Sequence, residues 1–414
     1  MTHMVIVGAG IIGLASAEAA QRRGWKVTLV DRAFEGDRAS HGNAGGIAVS
    51  ECVPLSLAGM GLKPLKWLMD PLGPLSIRPG HALSLYPWFR ALSKVAKPKN
   101  YARIGNALAA LNNRSLFDFE AMLGRLGIIG DLHKRGALTV YETEEAFEED
   151  QTNWTFKRER GVVFRNVSID ELRILEPGLA PVFKRAVMIE QWAHIDDPKR
   201  IVDSLRSHVR NAGAEFITGE AASIVDQGTR VGVMLEGGRF VDGDRVLVST
   251  GAWSARLSQT VGDNALLESE RGYNTTLPNC ATRLNREVIF SERMFVATPL
   301  AIGLRIGGAA EFAGLTAPAN YGRSATLLKL AHRYLPNLDV SEAQQWMGNR
   351  PTTPDSLPVI GASPRNDRIL YAFGHGHLGL TQAATTAELI GDLLDRKRPE
   401  VDMTPYSIAR FNRG

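Results

Sequence analysis

MVIVGAGIIG, at residues 4–13, is four apolar residues running straight into three glycines spaced G-x-G-x-x-G. The run from Met4 to Val7 lacks the alternation of a half-wet strand, as a parallel strand buried on both faces does. A helical pattern follows from Leu14 to Arg23 and Gly24 stops it; Trp25 to Val30 then reads as a second strand that delivers Asp31, 18 residues after Gly13. In such a βαβ unit Gly8 permits the tight turn, Gly10 lets the backbone approach a pyrophosphate, and Gly13 lets helix and strand pack closely. The phosphate itself sits on the helix N-terminus. Asp31 falls where a carboxylate meets ribose hydroxyls. The spacing predicts a dinucleotide site, with Ile11 and Ile12 between the glycines and Arg32 beside the acid.

Bulk properties narrow the rest. A chain of 414 residues suggests two or three domains. Its 48 Lys and Arg against 44 Asp and Glu come without a long basic run, which leaves a nucleic-acid partner unsupported. Two cysteines, Cys52 and Cys280, make neither a disulfide framework nor a metal cluster, so two buried thiols in a reducing compartment and no structural metal are expected. The first strand begins too early for a signal peptide, and no 18 consecutive residues are apolar. A cytoplasmic protein is expected, at most peripheral on the inner face of the cell membrane. Lys63, Lys66, Trp67, Leu68 and Met69, with Leu85, Tyr86, Trp88, Phe89 and Arg90, mix basic and bulky apolar residues as interfacial segments do, although a buried helical layer of the substrate domain is the simpler explanation.

Along the chain, residues 32–53 have the small-residue content of a loop lying on a ligand, tightest at Asn43, Ala44, Gly45 and Gly46. Residues 54–130 are punctuated by prolines and contain a long amphipathic pattern from Tyr101 to Leu126, read as an insertion. RVLVS at 245–249 is a buried strand that brings Thr250 and Gly251 to its C-terminal end, where ligands of open α/β sheets collect. Residues 266–314 alternate as strands without a crossover helix, so an antiparallel sheet is expected there. Residues 343–350 lead into a proline-rich turn at 351–358, and a second glycine-rich turn, GHGHLG at 374–379, opens a last helix.

Taken in order, GAGIIG, SHGNAGGI, STGAW, LRIGGAAEFAG, GNRPTTPDSLPVIG and FGHGHLGLT resemble the flavin-dependent amino-acid oxidoreductases of the D-amino-acid oxidase superfamily, and within it the bacterial D-amino-acid dehydrogenases. The likeness runs from Met4 to Arg413 and takes in KPLKWL at 63–68 and SIARFNRG at 407–414. It implies FAD and an α/β fold, α+β overall. A split Rossmann-type FAD-binding domain would occupy 1–53, 186–262 and 343–414. A substrate domain on a mixed or antiparallel sheet would occupy 54–185, with the helical insertion, and 263–342. By this resemblance Gly8, Gly10, Ile11, Ile12, Gly13, Asp31 and Arg32 hold the ADP half; Ser40, Asn43, Ala44, Gly45 and Gly46 follow the pyrophosphate and flavin ring; Ala221 lies at the adenine. Thr250 and Gly251 run along the cofactor, and Gly374, Gly376, His377, Leu378, Gly379 and Thr381 approach the pyrimidine edge of the flavin. One departure is the loop GIAVSECVP after NAG, poorer in proline and aromatic residues than is common in the family.

The implied reaction is oxidation of an α-amino acid by hydride transfer to flavin N5, which depends mainly on geometry. Arg350, in GNRP, is the expected carboxylate clamp, because a guanidinium fork matches a carboxylate bidentately; a surface salt bridge is the plain alternative. Tyr273 adds a hydroxyl to that carboxylate or closes the pocket, with a plain core aromatic as the alternative. His377 meets the amine or caps the last helix. His41 is expected to pack or face solvent rather than carry FAD covalently. Substrates include D-amino acids, cyclic ones such as D-proline or cis-4-hydroxy-D-proline among them, with a quinone or electron-transfer protein as acceptor. Competing readings are a glycine or sarcosine oxidase using oxygen, and a flavoprotein that acts on RNA or holds FAD structurally, which leaves GNRP without a role.

Overall fold

A computed structural model describes residues 2–56, 73 and 75–412. The apolar run at the N-terminus becomes the strand His3–Val7, third in a six-stranded sheet ordered Glu215–Thr218, Lys26–Asp31, His3–Val7, Arg245–Val248, Ile369–Phe373, Val359–Ala362. The first five strands are parallel and the last is antiparallel. Because a strand's side chains alternate between faces, Met4 and Ile6 join one apolar core while Val5 and Val7 join another. Helices Ile11–Arg22, Pro98–Leu126, Pro198–Asn211 and Gly379–Leu394 cover the first face, and the antiparallel sheet Ala221–Asp226, Val231–Leu235, Phe240–Gly243 covers the second. Both faces are therefore dry, which accounts for strands without polar alternation.

The second body is a nine-stranded mixed sheet, ordered Gln344–Thr352, Glu268–Leu277, Gly303–Phe312, Phe295–Leu300, Glu287–Phe290, Ala137–Tyr141, Arg185–Ile189, Arg165–Val167, with Leu75–Ile77 also paired to Gly303–Phe312. Pairing is antiparallel except at Glu287–Phe290 with Ala137–Tyr141 and at Leu75–Ile77. Helix Gly322–Tyr334 packs Leu327, Ala331 and Tyr334 into its core. Local signals set the helix ends: Asp197 accepts a bond from Lys199 N at 2.9 Å ahead of Pro198, and Ser168 accepts one from Glu171 N at 3.2 Å.

Sheet pairing moves two domain boundaries, and packing places one helix in the other body. The strand Arg185–Ile189 pairs on both sides within the nine-stranded sheet, so the chain returns to the first body after residue 189 and not at 186. Gln344–Thr352, expected to run into a turn, is the edge strand of the same sheet and puts the next return beyond Thr352 and not at 343. Helix Pro98–Leu126, assigned to the insertion, packs on Gly379–Leu394 in the core of the first body. In 85–90, Leu85 and Trp88 are buried and Phe89 packs on Phe312, while Tyr86, Pro87 and Arg90 are exposed, so the bulky apolar residues other than Tyr86 face the interior; 63–69 lies outside the described residues. Cys52 is buried but Cys280 only half-buried, and both are free. No described helix is long and apolar enough to cross a membrane, and no described group of His, Cys, Asp and Glu has the makings of a metal site.

Candidate functional site

A cavity of about 2300 Å³ runs from the first glycine turn, between the two sheets, to the strand carrying Arg350. At the first end Gly8 has φ +102°, and a Cβ there would stand 2.5 Å from Ser249 O. A Cβ on Gly13 would meet Gly8 O at 1.9 Å, so that glycine is fixed by helix–strand packing and does not border the cavity. Gly10 differs: the nearest atom to its Cβ position is Ser40 Oγ at 3.6 Å, and the open side faces the N-terminus of Ile11–Arg22. That is the arrangement a pyrophosphate needs. The Asp31 carboxylate accepts from Ala9 N at 2.6 Å and Ala33 N at 2.9 Å, and pairs with Arg38 at 3.0 Å. Arg32 stacks over Trp253 at 4.2 Å, and Ala221, Thr250 and Gly251 line the same end.

In the middle, the loop through Ser40, Asn43, Ala44 and Gly46 forms one wall. The nine-stranded sheet pins it: Arg305 donates to Asn43 O at 2.6 Å, and Asn274 donates to Gly42 O at 2.7 Å. Burial pulls the Arg305 guanidinium down to about 10. Gly45 and Thr381 do not border the cavity. A Cβ on Gly45 would strike Leu300 at 2.6 Å, and the Thr381 hydroxyl accepts from Ala48 N at 2.9 Å, so both shape the loop from behind.

At the far end the backbone of Thr352 bridges to His375, which brings the Arg350 strand onto the turn containing Gly374, Gly376, His377, Leu378 and Gly379. All five turn residues face the cavity at the start of helix Gly379–Leu394. Arg350 Nη1 donates to Glu270 Oε1 at 2.9 Å and to Ala309 O at 3.3 Å, and Thr352 Oγ1 donates to Glu270 Oε2 at 3.1 Å. Burial holds the His377 imidazole below its usual pKa, with the Arg350 charge adding to the effect and Glu270 and Glu51 opposing it. Burial pushes the Glu51 carboxyl up, but Lys157 at 2.9 Å outweighs that and leaves it lowered.

Tyr273 borders the cavity, but its hydroxyl is engaged elsewhere. Its hydroxyl bonds Glu311 at 2.5 Å and accepts from Asn320 N at 3.0 Å, so its donor is already committed away from any ligand carboxylate. Strand periodicity explains this: Glu270, Gly272 and Asn274 share one face, and Arg271 and Tyr273 the other. His41 does not border the cavity and pairs with Asp37 at 3.3 Å. Glu270, Glu51, Lys157, Arg305 and Asn274 escaped sequence reading. None carries a motif, and Glu270 is placed only by strand register, directly across from Arg350.

A family model described as FAD dependent oxidoreductase, DAO, matches residues 3–393. The D-amino-acid oxidase of Bradyrhizobium diazoefficiens is 33% identical over 99% of both chains, and the D-amino acid dehydrogenase of Rhizobium johnstonii is 28% identical over 99% of both. Among solved structures, glycine oxidase from Geobacillus kaustophilus has a TM-score of 0.76 at 22% identity over 99% of both chains. L-proline dehydrogenase from P. horikoshii has 0.77 at 18%, covering 100% of this chain and 98% of that one. At these identities the two structures show a shared fold.

Proposed function

The chain belongs to the DAO family of FAD-dependent oxidoreductases, and we propose that it oxidises D-amino acids, cyclic ones such as D-proline among them, to imino acids. The carrying observation is Arg350 on the cavity wall, bridged through Thr352 to the glycine-rich turn at 374–379. The open side of Gly10 at a helix N-terminus and the anchored carboxylate of Asp31 fit the ADP half of FAD, held without a covalent bond. When bound, FAD supplies the hydride acceptor, N5, and carries two electrons onward. The protein's task is then to place a carbon.

Arg350 orients the substrate by its carboxylate, the one anionic handle every amino acid offers. With FAD bound, the backbone amides opening Gly379–Leu394 would offer the positive end of a helix dipole to negative charge on the reduced ring. His377, kept neutral by burial, is available as an acceptor for an amine proton. For the acceptor, relatives named dehydrogenase favour a quinone or electron-transfer protein, whereas the Bradyrhizobium relative, named an oxidase, favours oxygen as a second reading.

One experiment tests both parts. The yellow holoprotein is mixed anaerobically with D-amino acids, L-amino acids, glycine and sarcosine, and air is then admitted. Bleaching by D-amino acids is expected, with slow recolouring in air. Bleaching by glycine or sarcosine alone overturns the substrate, and recolouring within the mixing time makes the protein an oxidase.

A further inference from the structure

Glu270 and Arg350 lie directly opposite each other on neighbouring antiparallel strands, and both line the cavity. One carboxylate oxygen of Glu270 is held by Arg350 Nη1 at 2.9 Å, the other by the Thr352 hydroxyl at 3.1 Å. A carboxylate has about four acceptor positions, so an anchored Glu270 retains acceptor capacity. Arg350 is likewise engaged through Nη1, while its Nε and Nη2 have no hydrogen-bond partner among the described residues. A fixed cation with a free donor edge thus stands beside a fixed anion with free acceptor sites.

An α-amino acid carries its own anion and cation on adjacent atoms. A ligand with only a carboxylate would satisfy Arg350 but bring its charge against Glu270, with nothing to offer that group. We propose that Arg350 and Glu270 read the substrate as a zwitterion, with Glu270 binding the α-ammonium, so that the site selects amino acids over hydroxy acids and simple carboxylates of the same shape. The proposal rests on the amino-acid reading above and adds the residue that discriminates. Selectivity of this kind comes from repulsion of the wrong ligand as much as attraction of the right one.

Glu270→Gln keeps the shape and removes the charge. FAD-loaded parent and variant are titrated with D-alanine, for KM, and with D-lactate and acetate, for Kd from the shift in flavin absorption. The variant is expected to raise KM for D-alanine by roughly tenfold to a hundredfold, the range for a lost charged hydrogen bond, and to tighten acetate and D-lactate several-fold. Opposite signs are the signature. A purely structural salt bridge weakens all three together, and that result, or no change in any, overturns the proposal. Glu270→Asp retains the charge and is expected to restore the preference for D-alanine; where Glu270→Gln does not fold, loss of that preference in Glu270→Asp overturns it instead. Failure of the amino-acid reading looks different: the parent's flavin is then bleached by no amino acid, while carboxylates still perturb its spectrum.

Discussion

The guanidinium of Arg350 rests on the α-carbon of Gly272, where a Cβ would stand 2.3 Å from Cζ and 2.5 Å from Nε. Only glycine leaves the fork flat against the strand, so position 272 is part of the clamp although it has no side chain. Arg350→Lys keeps the charge and loses the fork, and is expected to slow flavin reduction at low D-amino acid by roughly tenfold to a few hundredfold with FAD content unchanged. Arg350→Met is expected to do worse. Gly272→Ala, which pushes the fork off its seat, is expected to raise KM in the same direction. If Arg350→Met bleaches with D-alanine as readily as the parent, another cation holds the carboxylate.

Tyr273 yields a contrasting expectation, because its hydroxyl serves Glu311 and Asn320 N. Removing it leaves a buried carboxylate and a backbone amide short of a partner, a loss of about 1–3 kcal/mol. Tyr273→Phe is therefore expected to lower Tm while changing KM by less than about threefold, since no substrate contact is lost. A tenfold rise in KM with Tm unchanged would return Tyr273 to the substrate site.

The first βαβ unit was legible because its signals are local: apolar run, glycine spacing, helix, acid. The Arg350 strand was not. Pro351 argues against a strand, yet Gln344–Thr352 is the edge of its sheet, where a missing N–H interrupts no ladder. A short apolar run such as Arg185–Ile189 fits either sheet, and only pairing across distant sequence decides which. Glu270 looked like any surface acid in ESERGYN until register set it opposite Arg350.

Two glycines of the first turn separate binding from folding. The Cβ position of Gly10 is open, whereas that of Gly13 meets Gly8 O at 1.9 Å. Gly10→Ala is expected to give a folded, colourless protein whose apo Tm matches the parent's, because the added methyl occupies ligand space alone. Gly13→Ala is expected to cost stability with or without FAD. If Gly10→Ala purifies fully yellow, the pyrophosphate does not lie there. Acid precipitation of the parent should release the colour to the supernatant; a yellow pellet means a covalent link and brings His41 back into question.

Glu287 gives the protein a pH dependence with a definite sign. Its side chain is 3% exposed, and Trp192 Nε1 donates to Oε2 at 3.4 Å. Burial pushes its carboxyl from 4.5 up to about 7, helped by the Glu51 charge and opposed by the Trp192 hydrogen bond. With the folded pKa above the unfolded one, the native state holds a proton that the unfolded chain has released. The stability this contributes is fully present below pH 4.5 and is lost as pH rises to about 7, which amounts to about 3 kcal/mol over the window. Glu287→Gln cannot ionise and escapes that loss. Its Tm relative to the parent should therefore climb by a few degrees between about pH 5 and pH 8, most of it between about pH 5 and pH 7 with a plateau above, whatever fixed cost the amide adds at both ends. Measured on FAD-loaded protein, the difference curve isolates this one group from the rest of the chain's titration. Parallel Tm profiles for parent and variant across that range would mean that Glu287 is charged throughout, and that Lys157 or another cation compensates it.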